Sequence, residues 1–137
     1  MQRKGTVVNS VRSNTSVFDV VNQFIKHNIG AVLVMDGPEL IGIVSERDVA
    51  RNVVLENKTE RETSVGEIML REVVWVRPEQ SLEQCMVLMT NNRVRHLPVM
   101  EGARVVGIVS IGDLVKALIS EKEFVIEQLE GYITGRF

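Results

Sequence analysis

The chain has 137 residues, 45% apolar and 25% charged, with a formal net charge of −2; this is the size and profile of one compact globular domain. A single cysteine excludes a disulfide framework and a multi-cysteine zinc site, and the acidic pI of about 5.7 argues against a nucleic-acid binder. No apolar run approaches the roughly 20 residues of a membrane helix, and Met1-Gln2-Arg3-Lys4 leads into no apolar signal segment, so the expectation is a cytoplasmic protein with no membrane or nucleic-acid partner.

The elements read in chain order as follows. Thr6–Val11 is rich in β-branched residues and reads as a strand. Ser16-x-x-Asp19 is a capping pattern that opens a helix, and Val17, Val20, Val21, Phe24 and Ile25 give it one apolar stripe. Two strands, Ala31–Met35 and Leu40–Ser45, flank a turn at Asp36-Gly37-Pro38-Glu39. A second helix runs from about Glu46 to Leu55, followed by a polar linker over 56–63. Ser64-x-x-Glu67 caps a short helix into Ile68 and Met69. The order then returns: a strand Val73–Val76 closed by Pro78, a helix opened by Ser81-x-x-Gln84 with Leu82, Cys85, Met86 and Met89 on one stripe, strands His96–Met100 and Val105–Ser110, and a helix from about Ile111 to Ser120. Beyond it, Phe124, Val125, Leu129, Tyr132 and Ile133 suggest an amphipathic helical tail that covers the domain's own flank, completes a dimer contact or binds another protein.

The recurrence is a repeat at an offset of 65 residues. Asn28–Val49 and Arg93–Leu114 share eight of 22 positions, among them Val34/Val99, Gly42/Gly107, Ser45/Ser110 and Asp48/Asp113. The expected fold is therefore α+β with α/β-type layers: two β-α-β-β-α repeats packed about a pseudo-twofold axis. Residues 1–62 hold the first repeat and linker, 63–122 the second, and 123–137 the tail. One such unit alone would leave a sheet face exposed. Pairing the units covers that face and creates two clefts between them, where ligands are favoured.

The informative motif is Gly-h-h-Ser-x-x-Asp at the end of a strand: Gly42, Ser45, Asp48 and again Gly107, Ser110, Asp113. There a strand delivers the chain to a helix start, whose free amides favour an anion such as phosphate. The serine hydroxyls suit the same anion, and the acceptor-only carboxylates suit a pair of hydroxyls such as a ribose diol. Arg47, Arg51, Arg93, Arg95 and His96 are candidate phosphate cations. The competing reading is purely structural: Ser-x-x-Asp is also a capping box, as at Ser16, Ser64 and Ser81, and the glycines permit close backbone packing.

The tandem repeat, with its GIVSERD and GIVSIGD segments and with IGAVLVMDG and RHLPVMEG, resembles a pair of cystathionine-β-synthase (CBS) domains, the Bateman module, over roughly residues 5–120. The resemblance implies a regulatory sensor, not an enzyme, binding AMP, ADP, ATP, NAD(H) or S-adenosylmethionine and pairing into disc-shaped homodimers. It implies that Ser45 and Asp48, and Ser110 and Asp113, contact phosphate and ribose. It implies an adenine slot lined by Val8, Ala31 and Val32 in one cleft and by Val73, Leu97 and Pro98 in the other, with Arg95 and His96 near phosphates of the second cleft; the residues themselves offer Arg47 as the phosphate cation of the first. The two clefts depart from each other: Gly30-Ala31 stands where the second repeat has Arg95-His96, and Ile111-Gly112 where the first has Glu46-Arg47.

No nucleophile–base pair, metal-ligand cluster or glycine-rich phosphate loop marks an enzyme. Two readings remain: a nucleotide-binding module acting on a dimer or a protein partner, and a dimerisation unit without a ligand. Cys85 reads as a small core hydrophobe and His27 as a helix-end cation. His96 is either structural or a phosphate contact, and Trp75 either stacks on an adenine or fills a core or interface.

Overall fold

The computed structural model describes residues 9–134, with side chains as far as residue 122; the expected strand residues Thr6–Val8, including the site candidate Val8, and the side chains of the tail lie outside that range. The first repeat contains β1 (Ser10–Val11), α1 (Val17–His27), β2 (Ala31–Asp36), β3 (Glu39–Ser45) and α2 (Glu46–Ala50). After the linker come α3 (Val65–Ile68), α4 (Leu82–Asn92), β4 (His96–Glu101), β5 (Arg104–Ser110) and α5 (Ile111–Thr134).

The two hairpins have the same register. Ala31 pairs with Ser45 and His96 with Ser110, and both ladders shift one residue later in the turn half, after Val34 and after Val99. Gly37 and Gly102 close the hairpins at φ +60° and +63°, a conformation that costs glycine no steric penalty. The helices start where the capping patterns put them. Ser16 Oγ accepts from the Asp19 amide at 3.1 Å, and Ser81 and Gln84 bond each other reciprocally at 2.9 and 3.1 Å.

The direction of β1 was open in the sequence, and three further elements differ from the expectation. β1 runs parallel to β2, with the Leu33 amide donating to Asn9 at 3.2 Å. The expected strand Val73–Val76 contracts to a single bridge between Val76 and Val99. Its cause is Pro98, the repeat counterpart of Leu33, which has no N–H to extend the ladder. The helix expected over 46–55 is α-helical only to Ala50 and widens into a π turn over Arg51–Leu55; the Asn52 side-chain amide takes the Asp48 carbonyl at 2.8 Å, inserting into the helical ladder. Finally, α5 does not stop near Ser120 but continues without a break to Thr134.

Each sheet has two covered faces. Val32, Val34 and Val44 pack with Val17, Val20 and Phe24 of α1, and Val65, Ile68 and Met69 complete this core although they follow the linker. In the second repeat Leu82, Cys85 and Met89 of α4 pack with Leu97, Val99, Val109 and Leu114. The alternate residues Ala31, Leu33 and Ile43 point the other way and meet Val73, Val105 and Ile108. That third cluster joins the repeats sheet face to sheet face, which is why the run 31–34 is buried throughout rather than alternating. Cys85 is fully buried, as expected, and burial pushes its thiol pKa up.

Candidate functional site

Both Ser-x-x-Asp motifs sit where a strand ends and a helix begins, and both are closed as caps. Asp48 Oδ2 accepts from the Ser45 amide at 2.9 Å and from the Ser45 hydroxyl at 3.0 Å, while the Asp48 amide donates to Ser45 Oγ at 3.3 Å. Asp113 Oδ2 accepts from the Ser110 amide at 3.0 Å, and the Asp113 amide donates to Ser110 Oγ at 3.1 Å. The next amides are also taken: Glu46 donates to Gly30 at 3.0 Å and Ile111 to Arg95 at 2.8 Å. This narrows the expectation of free first-turn amides: the residue before β2 or β4 takes one donor at each helix start and the capping serine another, and the amides of Arg47 and Gly112 have no hydrogen-bond partner among the described residues. A carboxylate has two oxygens, however. Asp48 Oδ1 has no hydrogen-bond partner among the described residues.

Beside Asp48 opens a cavity of about 760 Å³. Its walls come from both repeats. Gly30, Ser45, Arg47, Asp48 and Arg51 lie on one side, Arg93, Arg95 and His96 on the other, and Ile43, Leu70 and Val73 supply apolar surface. Arg95, His96 and Val73, grouped with Ser110 in the sequence reading, border the cavity that holds Ser45 and Asp48, while His96 also pairs with Ser110 across the β4–β5 hairpin and Arg95 accepts from the Ile111 amide. None of the four guanidiniums forms an ion pair or side-chain hydrogen bond among the described residues.

The remaining candidates are elsewhere. Val32 and Leu97 are fully buried in the two repeat cores, Ala31 belongs to the seam between the sheets, and Pro98 is buried in β4. Ser110 and Asp113 stand at the start of α5, not on this cavity's walls. Trp75 is 48% exposed, so it fills no core, and it does not line the cavity. Ile43 and Leu70 had no sequence signal of their own. They pair through Leu70 N–H to Ile43 O at 2.9 Å and the reciprocal bond at 3.1 Å, which lays the segment after α3 along β3. The available clue was Gly42, where a Cβ would meet Met69 Sδ at 2.5 Å and the Leu70 carbonyl at 3.1 Å.

His96 is half-buried beside both helix starts. Burial pushes its pKa below the ordinary histidine range; Asp113, Glu46 and Asp48 pull it back up, and Arg95 adds to the depression. No His, Cys, Asp or Glu group among the described residues could hold a metal ion, and no described helix is long and apolar enough to cross a membrane.

Compared with known proteins, the CBS domain profile matches residues 6–55 and again residues 65–120. The chain belongs to the CBS domain family. Its CBS pair is 37% identical over 130 residues to the mitochondrial CBS domain-containing protein CBSX3 of Arabidopsis thaliana, covering 91% of this chain and 63% of that one, so it spans under two thirds of the plant protein. A solved protein with CBS domains from Burkholderia ambifaria is 46% identical, with a TM-score of 0.82 and 85% of each chain covered. The CBS domain pair of protein MJ0100, solved in complex with 5′-methylthioadenosine and S-adenosyl-L-methionine, is 25% identical with a TM-score of 0.77, covering 85% of this chain and 92% of that one.

Proposed function

We propose that this CBS pair is a regulatory module whose cavity between the repeats takes an adenosine-containing ligand: AMP, ADP, ATP, NAD(H) or S-adenosylmethionine. One observation carries the reading. Asp48 lines a 760 Å³ cavity with one carboxylate oxygen committed to its cap and the other without a hydrogen-bond partner among the described residues, so capping and holding a ribose hydroxyl are compatible in one side chain. The volume lies within the roughly 300–1,000 Å³ usual for small-molecule sites. The adenosine compounds bound by the MJ0100 pair support the ligand class. Ser45 offers its hydroxyl, Arg47 and Arg95 offer charge to phosphate, and Val73 offers apolar surface to a base.

Signalling runs through a homodimer or a protein partner. Val54 and its repeat counterpart Ile119 are 73% and 50% exposed, and Leu55 and Val115 are exposed beside them; such apolar residues on the second helix of each repeat suit a twofold contact. A second reading, a dimerisation unit without a ligand, is favoured by the closure of both Ser-x-x-Asp motifs as caps. A thermal-shift series on chain stripped of carried-over small molecules separates the two. A ligand that binds only the native state raises Tm. A rise with at least one of the five compounds supports the module, and a flat response to all of them leaves the dimerisation unit.

A further inference from the structure

We infer that the cavity selects ligands bearing a chain of two or more phosphates, and that each chain carries one tight site of this kind. The inference rests on reading the cavity as an adenosine-ligand site and adds the charge that ligand must have.

Four arginines, at 47, 51, 93 and 95, line the cavity against two carboxylates, Glu46 and Asp48. One of those carboxylates already serves its own cap. The arginines serve nothing else, being without ion-pair or hydrogen-bond partners among the described residues. Unpaired guanidiniums facing one space repel each other, and a multiply charged anion relieves that repulsion while accepting forked hydrogen bonds. A phosphate monoester brings three terminal oxygens and at most two charges to four guanidiniums, whereas a di- or triphosphate brings more of both and lets each guanidinium take its own forked pair. A cationic sulfonium ligand leaves the positive excess uncompensated. At the start of α2 the Glu46 and Asp48 amides are already bonded, which leaves most of the charge and donors to the arginines.

The repeat makes the charge asymmetric. The counterparts of Arg93, Arg95 and Arg47 are Asn28, Gly30 and Gly112, and only Arg51 keeps a cation, as Lys116. Arg47, Arg93 and Arg95 also line a smaller pocket of about 210 Å³ that reaches Ile111 beside Ser110, so the two helix starts share this one cluster, and among the described residues no second one repeats it. Arg93 itself is informative. It caps α4 at φ 54°, and its counterpart Asn28 caps α1 at φ 52°. Asparagine suits that left-handed conformation better than arginine, so the cap alone does not explain an arginine; a guanidinium on the cavity wall does.

Isothermal titration calorimetry on the full, ligand-stripped chain tests this, using adenosine, AMP, ADP, ATP, S-adenosylmethionine, GTP and inorganic tripolyphosphate. ADP and ATP are expected to bind about tenfold or more tighter than AMP, at one tight site per chain, with affinity falling as salt rises. Arg93→Asn is expected to raise the Tm of the ligand-free chain and to weaken ATP by about ten- to hundredfold. Adenosine binding as tightly as ATP, S-adenosylmethionine binding more tightly than ATP, or two equivalent ATP sites overturns the inference while leaving an adenosine-binding module intact. Tripolyphosphate and GTP binding as tightly as ATP supports the phosphate selectivity and removes the adenosine reading. Silence from every compound overturns both.

Discussion

Gly30 and His96 face each other across the seam between the repeats: a Cβ placed on Gly30 would stand 3.4 Å from His96 Nε2 and 3.0 Å from a Glu46 carboxylate oxygen. At the repeat-related positions the chain has Arg95 and Ala31. The seam thus has room for one imidazole, and the absent side chain of Gly30 provides part of it. His96 touches the surroundings of both motifs, because Glu46 and Asp48 belong to one helix start and Asp113 to the other.

That position sets a pH dependence. His96 has a folded pKa below its ordinary value of 6.5, with burial as the main cause. The unfolded chain then binds more protons than the folded one as pH falls through 6.5. Stability is therefore full above that pH and is lost as pH drops through the folded pKa. The Tm of the ligand-free chain is expected to fall between pH 7 and pH 5, and His96→Gln to flatten that slope. A slope unchanged in the variant would assign the acid sensitivity to other groups. A bound phosphate chain reverses the balance by favouring the imidazolium, so ATP affinity is expected to rise over the same fall in pH.

Asp48 performs two tasks that substitution can separate. Asp48→Ala removes the cap to Ser45 and is expected to cost about 1 kcal/mol of stability. Asp48→Asn keeps a carbonyl oxygen for the cap but loses the charge that a ribose hydroxyl would meet. Its stability is expected to stay within about 0.5 kcal/mol of the parent, with ligand affinity down by about ten- to hundredfold. Chemical denaturation and calorimetry on the same samples read the two effects. Equal losses of stability in both variants with no change in affinity would make Asp48 a cap and nothing more.

Gly42 is held to glycine by close approach rather than by backbone conformation. An added Cβ would stand 2.5 Å from Met69 Sδ, 2.9 Å from Met69 Cγ and 3.1 Å from the Leu70 carbonyl. The methionine can swing, but the carbonyl is bonded to Ile43 and cannot retreat without breaking that pair. Gly42→Ala is expected to destabilise by about 1–3 kcal/mol, as overpacking does, and to displace Leu70 from the cavity wall. A urea midpoint equal to the parent's would show that the segment after α3 adapts freely.

Much of this was legible beforehand because the 65-residue offset carries local information twice. Capping serines, apolar stripes and turn glycines fall at matched positions, so each element was identified from two independent stretches. What escaped was tertiary. The resemblance put Arg95 and His96 near phosphates of the second cleft; they do lie beside Ser110, but how the sheets meet, which brings both residues onto the cavity of the other repeat's motif as well, was not readable from either repeat alone. The effect of Pro98 was also hidden, since a missing amide matters only once the neighbour that would accept from it is known. The motif was ambiguous for a chemical reason: one Asp48 carboxylate can cap and still present a second oxygen, so spacing alone could not separate the two roles.

Leu33 tests whether the repeats fold as one unit. Its side chain is fully buried in the seam, in the cluster that contains Val105 and Ile108 of the other repeat, and it contributes to neither of the cores formed within a repeat. Leu33→Ala leaves a cavity there and is expected to cost about 2–5 kcal/mol. Because the seam covers a face of both sheets, the loss should lower the midpoint of a single urea transition and leave its slope unchanged. Two separated transitions, one of them at the parent's midpoint, would mean that one repeat stands without the other. The cleft could then be lost without unfolding either half, and ligand binding, which needs walls from both, would no longer stabilise the whole chain.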